Sequence, residues 1–116
     1  MTVVPECGLC KASPMRIGIM GGTGPAGSGL ALRMSVAGHQ VLIGSRSKER
    51  SEEKVAELIA QWPDHNLKIE TGTNEDAAHC DLIVVATPWD STATIVGEYA
   101  EVLRGKVVVT MANALV

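Results

Sequence analysis

Phenylalanine is absent from the 116 residues, and two Trp and one Tyr are the whole aromatic complement. A core must therefore be filled by Val, Ile, Leu, Ala and Met, which suits helices layered on a sheet. Positive charge is not in excess either: the formal net charge of −3 argues against a surface built for nucleic acid and makes any anion site local. No apolar run approaches the roughly 20 residues that cross a bilayer, so no membrane partner is expected. Residues 1–14 carry Glu6, Cys7 and Cys10 where a signal peptide has its long apolar core, and read as a leader-like, disordered tail of a cytoplasmic protein. Cysteine is also scarce. Cys7 and Cys10 form a C-x-x-C with no second pair, and Cys80 stands beside His79, so reduced thiols and no metal site are expected. His39, His65 and His79 lie in turns or at element ends, without the spacing of a metal or nucleophile cluster, and read as surface residues.

Glycine, by contrast, is plentiful, with twelve residues, and its placement organises the chain. Residues 15–30 read MRIGIMGGTGPAGSGL: an apolar run at 17–20, a glycine cluster, then a segment of helical composition. Gly22, Gly24 and Gly27 fit G-x-G-x-x-G. The first allows a tight turn, the second lets backbone approach a pyrophosphate, and the third lets helix and strand pack closely. Pro25 suits the first helical turn, where its missing N–H would have had no partner, and the N–H groups from Ala26 onward point at an anion. The stretch reads as a phosphate cradle.

The rest of the chain alternates. Residues 16–20 form a first strand, and a helix follows over 25–37 with Leu30, Met34 and Ala37 on its inner face and Gly38 as its stop. A second strand is read at 41–43. The next helix spans 47–62, capped by Ser47, striped by Val55, Leu58, Ile59 and Trp62, and stopped by Pro63. A weak edge strand is read at 67–69, a short helical turn at 73–78, and the strongest strand at 82–86. A helix from 90 or 91 to 103, with Ile95, Val96, Tyr99, Val102 and Leu103 inward, leads to a last strand at 106–110 and a terminal loop. The expected fold is α/β: one domain over 15–116, a Rossmann-like doubly wound parallel sheet with strand order 3-2-1-4-5.

Dinucleotide domains that use NAD place an acid about 20 residues after the glycines, to hold the adenosine ribose hydroxyls. That acid is missing here. The second strand ends instead in Gly44-Ser45-Arg46, with Lys48 and Arg50 behind it, which suits the dianionic 2′-phosphate of NADP. Ser45 supplies a hydroxyl, Arg46 a planar guanidinium, and Arg50 returns one helical turn later; Thr23 of the glycine loop joins them. Lys48 reads as part of a solvated helix start. Thr87-Pro88-Trp89 ends the fourth strand beside the switch point and borders the pyrophosphate or nicotinamide end. Trp89 serves either as a flat apolar wall or as a core or lid residue covering the next helix. Asn113, in the final loop, either bonds a cofactor amide or caps the chain's exit.

MRIGIMGGTGPAGSGLALR, VLIGSRS, LIVVATPWD and GKVVVTMANAL together resemble the amino-terminal half of the coenzyme F420-dependent NADP reductases. Ferric reductases with a similar cytoplasmic domain share part of the pattern. The resemblance implies a reversible hydride transfer between reduced F420 and NADP+, with two cofactor rings face to face and no acid–base pair. It assigns Thr23, Ser45, Arg46 and Arg50 to the 2′-phosphate (the last being commonly Lys in the family) and Gly22, Gly24 and Gly27 to the pyrophosphate. Pro88, Trp89 and the loop that includes Ala112 and Asn113 fall at the nicotinamide and deazaflavin. Members of the family continue into a smaller carboxy-terminal region that contributes to the F420 pocket and the dimer. An apolar last strand at the sheet edge is accordingly expected to be exposed, favouring a homodimer or further chain. A non-catalytic NADP-binding module, or an NADPH reductase with a flavin, imine or ferric acceptor, are the alternative readings.

Overall fold

Strand and helix alternate through residues 15–112, the part of the chain that the computed structural model describes. The elements are β1 (Arg16–Met20), α1 (Pro25–Val36), β2 (Gln40–Ser45), α2 (Lys48–Gln61), β3 (Ile69–Thr73), α3 (Asn74–Ala78), β4 (Leu82–Val85), α4 (Trp89–Glu98), α5 (Ala100–Leu103) and β5 (Val107–Thr110). The five strands form one parallel sheet in the order β3-β2-β1-β4-β5, as the alternation predicts. The leader-like tail with Cys7 and Cys10, and Asn113, lie outside the described residues.

Both faces of the central strands are covered, which is why β1, β2 and β4 read as unbroken apolar runs. On one face Ile17, Ile19, Val41, Ile43 and Val84 meet Ala31 of α1 and Val55 and Leu58 of α2. On the other, Met20, Leu42, Ile83 and Val85 meet Ala77 and Ala78 of α3, Cys80 and Leu103 of α5. Gly18 faces this second layer, where α3 lies so close to β1 that an added Cβ would overlap the Ala77 carbonyl oxygen. Cys80 is a free, buried thiol, and burial pushes its pKa up.

Several expectations are corrected by packing. The inner face of α1 is built from Gly27, Ser28, Ala31 and Ser35; Leu30 and Met34 sit at the margin of the core, and Ala37 is an exposed C-cap. Small residues win that face because α1 lies against the sheet: a Cβ on Gly27 would be 2.8 Å from the Gly22 Cα and 3.1 Å from the Ala86 Cβ. On α2, Val55 and Leu58 are buried as expected, whereas Ile59 and Trp62 are 45% and 43% exposed. Trp62 lies at the C-cap, its ring 5.7 Å from that of His65 in the turn at Pro63–His65.

The third strand is displaced from 67–69 to Ile69–Thr73, because its register pairs Val41 with Ile69 through to Ser45 with Thr73. Backbone pairing overrides the local alternation of Leu67-Lys68-Ile69. The helix expected as one piece to 103 breaks at Tyr99, giving α4 and α5. Its inward residues are those predicted: Leu103 is buried, and Ile95, Val96, Tyr99 and Val102 pack at the edge of the second layer. His65 and His79 are exposed, but His39 is half-buried, with a buried Nδ1 that has no partner among the described residues.

β5 closes the sheet and is bare. Val107, Val108 and Val109 are 64%, 37% and 46% exposed, although neighbours in sequence point to opposite faces. Among the described residues no helix is long and apolar enough to cross a membrane, and no three His, Cys, Asp or Glu side chains gather as metal ligands.

Candidate functional site

A cleft of about 960 Å³ opens at the C-terminal ends of the strands, where the sheet order reverses between β1 and β4. That is where open α/β sheets hold ligands. Its floor is the loop from β1 to α1, with Gly21, Thr23 and Gly24. One end is formed by Ser45 and Arg46 at the exit of β2 and by Arg50 on the first turn of α2; the opposite wall is Thr87, Pro88 and Trp89.

The loop is held by bonds from both sides. Gly21 has φ of 68°, a left-handed conformation that favours glycine, and its N–H donates to Asn74 Oδ1 at 2.9 Å. The Gly22 N–H donates to the Gly44 carbonyl at 2.9 Å. Gly24 then forms the N-cap of α1, with Pro25 in the first turn, and a Cβ added to Gly24 would meet no protein atom within 4 Å. Nothing inside the fold demands glycine there. The space that a side chain would fill opens into the cleft, so it fits a ligand brought against the backbone.

Helix α1 is also the one left electrostatically open among the first three. Ser47 Oγ accepts from the Arg50 N–H to cap α2, and Thr73 and Asp76 exchange bonds in a capping box on α3. α1 has no side-chain cap and no acid in its first turn. Its N–H groups and the positive end of its dipole therefore face the cleft uncompensated, an arrangement that attracts phosphate.

At the exit of β2, Ser45 is buried while Arg46 and Arg50 are exposed. Among the described residues neither guanidinium pairs with a carboxylate; the ion pairs are Arg16–Glu70, Lys54–Glu57 and Arg104–Glu101. Two uncommitted guanidinium forks beside a hydroxyl form a receptor for a dianion. Carboxylates occur on the opposite flank, where Asp90 and Glu98 of α4 line the cleft beside Tyr99. Burial, then the nearby Glu98 and Glu75, pushes the Tyr99 phenol up.

Most residues singled out in the sequence thus border one cleft: Thr23, Gly24, Pro25, Ala26, Ser45, Arg46, Arg50, Thr87, Pro88, Trp89 and Ala112. Gly22 and Gly27 do not line it; both are buried at the contact of α1 with the loop. Lys48 is exposed and outside it, in keeping with a solvated helix start. Trp89 is 58% exposed on the cleft wall, which excludes a core residue and leaves the wall and the lid. Sequence reasoning missed Thr73 and Asn74, whose only local signal was the T-N-x-D capping pattern. Asn74 meets Gly21 across 53 residues, a contact that local pattern does not encode.

Sheet order, glycine loop and cleft define a Rossmann-type domain. The chain belongs to the family described as NADP oxidoreductase coenzyme F420-dependent, whose model matches residues 16–114. It is 33% identical over 102 residues to the F420-dependent NADP reductase of Methanothermobacter thermautotrophicus, covering 87% of this chain and 44% of that one. With the F420-dependent NADP reductase of Methanocaldococcus jannaschii it shares 38% identity over 100 residues, 84% of this chain and 44% of the relative. The chain therefore spans less than half the length of these curated relatives.

Proposed function

We propose that this chain is the NADP-binding half of an F420-dependent NADP reductase. The observation that carries the reading is the convergence, in one cleft, of an uncapped helix N-terminus behind Gly24 with Ser45, Arg46 and Arg50 at the exit of β2. The first suits a diphosphate and the second a 2′-phosphate, with about 1.5–3 kcal/mol from each charge-assisted hydrogen bond. When bound, the two cofactors supply the redox chemistry, a hydride with its electron pair passing between reduced F420 and NADP+.

The protein's share is then binding and orientation. The N–H groups at the start of α1 hold the diphosphate, Thr23, Ser45, Arg46 and Arg50 fix the 2′-phosphate of the adenosine end, and Thr87, Pro88 and Trp89 wall the nicotinamide end against water. No side chain has to move a proton. Ala112 completes the nicotinamide end in this reading, and the family resemblance alone adds Asn113, which lies outside the described residues. The family's activity and the lack of a long apolar helix among the described residues support a cytoplasmic protein, and the bare valines of β5 support a homodimer.

Titrating NADP+ into the purified chain tests the reading, with binding expected, and adding reduced F420 while following the appearance of oxidised deazaflavin shows whether this half also turns over by itself. Tight NADP+ binding without turnover would leave a binding module; no NADP+ binding would end the proposal. A second expectation follows from the open space at Gly24. Gly24→Ala is expected to lower the unfolding free energy by no more than about 1 kcal/mol, since φ of −76° suits alanine although alanine caps a helix less well than glycine, while weakening NADP+ about tenfold or more. Isothermal titration beside the unfolding curve measures both.

A further inference from the structure

Asn74 is an unusual residue to bury. It is 5% exposed, opens the five-residue helix α3, and lines the cleft beside the end of β2. Its Oδ1 accepts the N–H of Gly21 at 2.9 Å, which orients the amide, because only the oxygen can accept. The bond joins the C-terminal end of β1 to the C-terminal end of β3, across the strand that lies between them.

Asn74 is itself tightly placed. The Thr73–Asp76 capping box fixes the turn that carries it, with Thr73 N–H donating to Asp76 Oδ2 at 2.9 Å. Beneath it Gly44 leaves room for the turn: a Cβ there would be 2.8 Å from the Thr73 carbonyl oxygen and 3.2 Å from the Asn74 Cα. On the other side of the bond, Gly21 holds φ of 68°, and its neighbour Gly22 is tied to Gly44. The first two N–H groups of the loop are thus taken by the protein, at Asn74 and Gly44, which sets the path by which the chain reaches Gly24 and the free N-terminus of α1.

We infer that Asn74 is a positioning residue for the diphosphate of the bound dinucleotide, acting through Gly21. The inference rests on the cofactor reading above and adds a residue to it. Without the amide, Gly21 loses its acceptor and the loop is free to leave the conformation that presents the N–H groups after it. Affinity for ligands that carry the diphosphate then falls, with or without the 2′-phosphate. A ligand that carries the 2′-phosphate without the diphosphate meets the loop only at Thr23 and rests mainly on Ser45, Arg46 and Arg50, so it loses far less.

The test compares NADP+, NAD+ and adenosine 2′-monophosphate, titrated into the wild-type chain and into Asn74→Ala and Asn74→Ser, the latter too short to reach Gly21. Both variants are expected to weaken NADP+ and NAD+ by about tenfold and adenosine 2′-monophosphate by less than about twofold. Amide exchange of Gly21 is expected to accelerate in both, and to keep its wild-type rate in Asn74→Asp, which retains the acceptor oxygen. Unchanged NADP+ affinity, unchanged Gly21 exchange, or an equal loss for adenosine 2′-monophosphate would each overturn the role of Asn74. A variant that does not fold counts as equal loss, and marks Asn74 as structural. If the wild-type chain bound neither NADP+ nor adenosine 2′-monophosphate, the cofactor reading would fall and this inference with it.

Discussion

Arg46→Ala is expected to weaken NADP+ binding by roughly 10- to 100-fold while changing NAD+ by less than about threefold. The two dinucleotides differ only in the 2′-phosphate, so the ratio isolates the group that the proposed function assigns to Arg46. Arg46 stands at the exit of β2 with no carboxylate partner among the described residues, so its removal orphans no carboxylate among them. The loss should shrink in high salt, because the guanidinium is exposed and its attraction for phosphate is screened. Titration of both cofactors at two ionic strengths measures all of this. Equal loss for NADP+ and NAD+ would move the 2′-phosphate elsewhere. Arg46→Lys should recover only part of the affinity, since a single ammonium replaces a fork that can bond two phosphate oxygens.

The second large effect belongs to the fold. Gly18→Ala should lower the unfolding free energy by about 3 kcal/mol or more, at the upper end of what overpacking a core does. β1 and α3 approach each other so closely at this point that the new methyl would overlap the Ala77 carbonyl oxygen and come within 2.7 Å of its carbon. Neither neighbour can yield cheaply. Gly18 is at the centre of the sheet, paired with Leu42 and Ile83, and Ala77 is wholly buried. Urea unfolding followed by circular dichroism would show the shift, or the variant would be recovered unfolded. A midpoint within about 0.5 kcal/mol of the wild type would mean that α3 can move off β1 with little loss. Comparison with Gly24→Ala is informative: both replace a loop or strand glycine by one methyl, but only Gly18 is enclosed by protein on the side where the methyl goes.

These two glycines also mark what could be read along the chain. The alternation of apolar runs with amphipathic segments was enough for the parallel sheet and its order, since buried parallel strands are apolar throughout and their connections follow a narrow set of rules. Gly22, Gly24 and Gly27, Ser45-Arg46 and Pro88-Trp89 were equally legible, because each follows directly on a strand and the C-terminal ends of parallel strands all open on one side. Strand ends close in sequence to a glycine loop announce their own position. Helix α2 was legible from Ser47 to Pro63 for the same local reason: its cap and its stop are both written in neighbouring residues.

Other features depended on contacts between distant segments. β3 slid to Ile69–Thr73 because pairing with β2 outweighed the alternation of its own side chains. α1 turned Gly27, Ser28, Ala31 and Ser35 inward, in place of its larger apolar residues, because the helix lies too near the sheet for bulk. The break at Tyr99 separated two helices where the periodicity was continuous. Gly18, read as part of an apolar strand, proved to be the point of closest approach to α3.

By itself, then, the sequence determined the class of fold, the place of the cleft and those of its residues that directly follow β1, β2 and β4, all consequences of local pattern and of the chain direction that parallel strands share. Only the tertiary structure decided how the glycine loop is held. The N–H of Gly21 reaches Asn74, a residue 53 positions away that local reasoning assigned to nothing more than a short helical turn. Hydrogen bonds of that kind are set by which strand ends lie side by side, and that adjacency exists only once the sheet has formed.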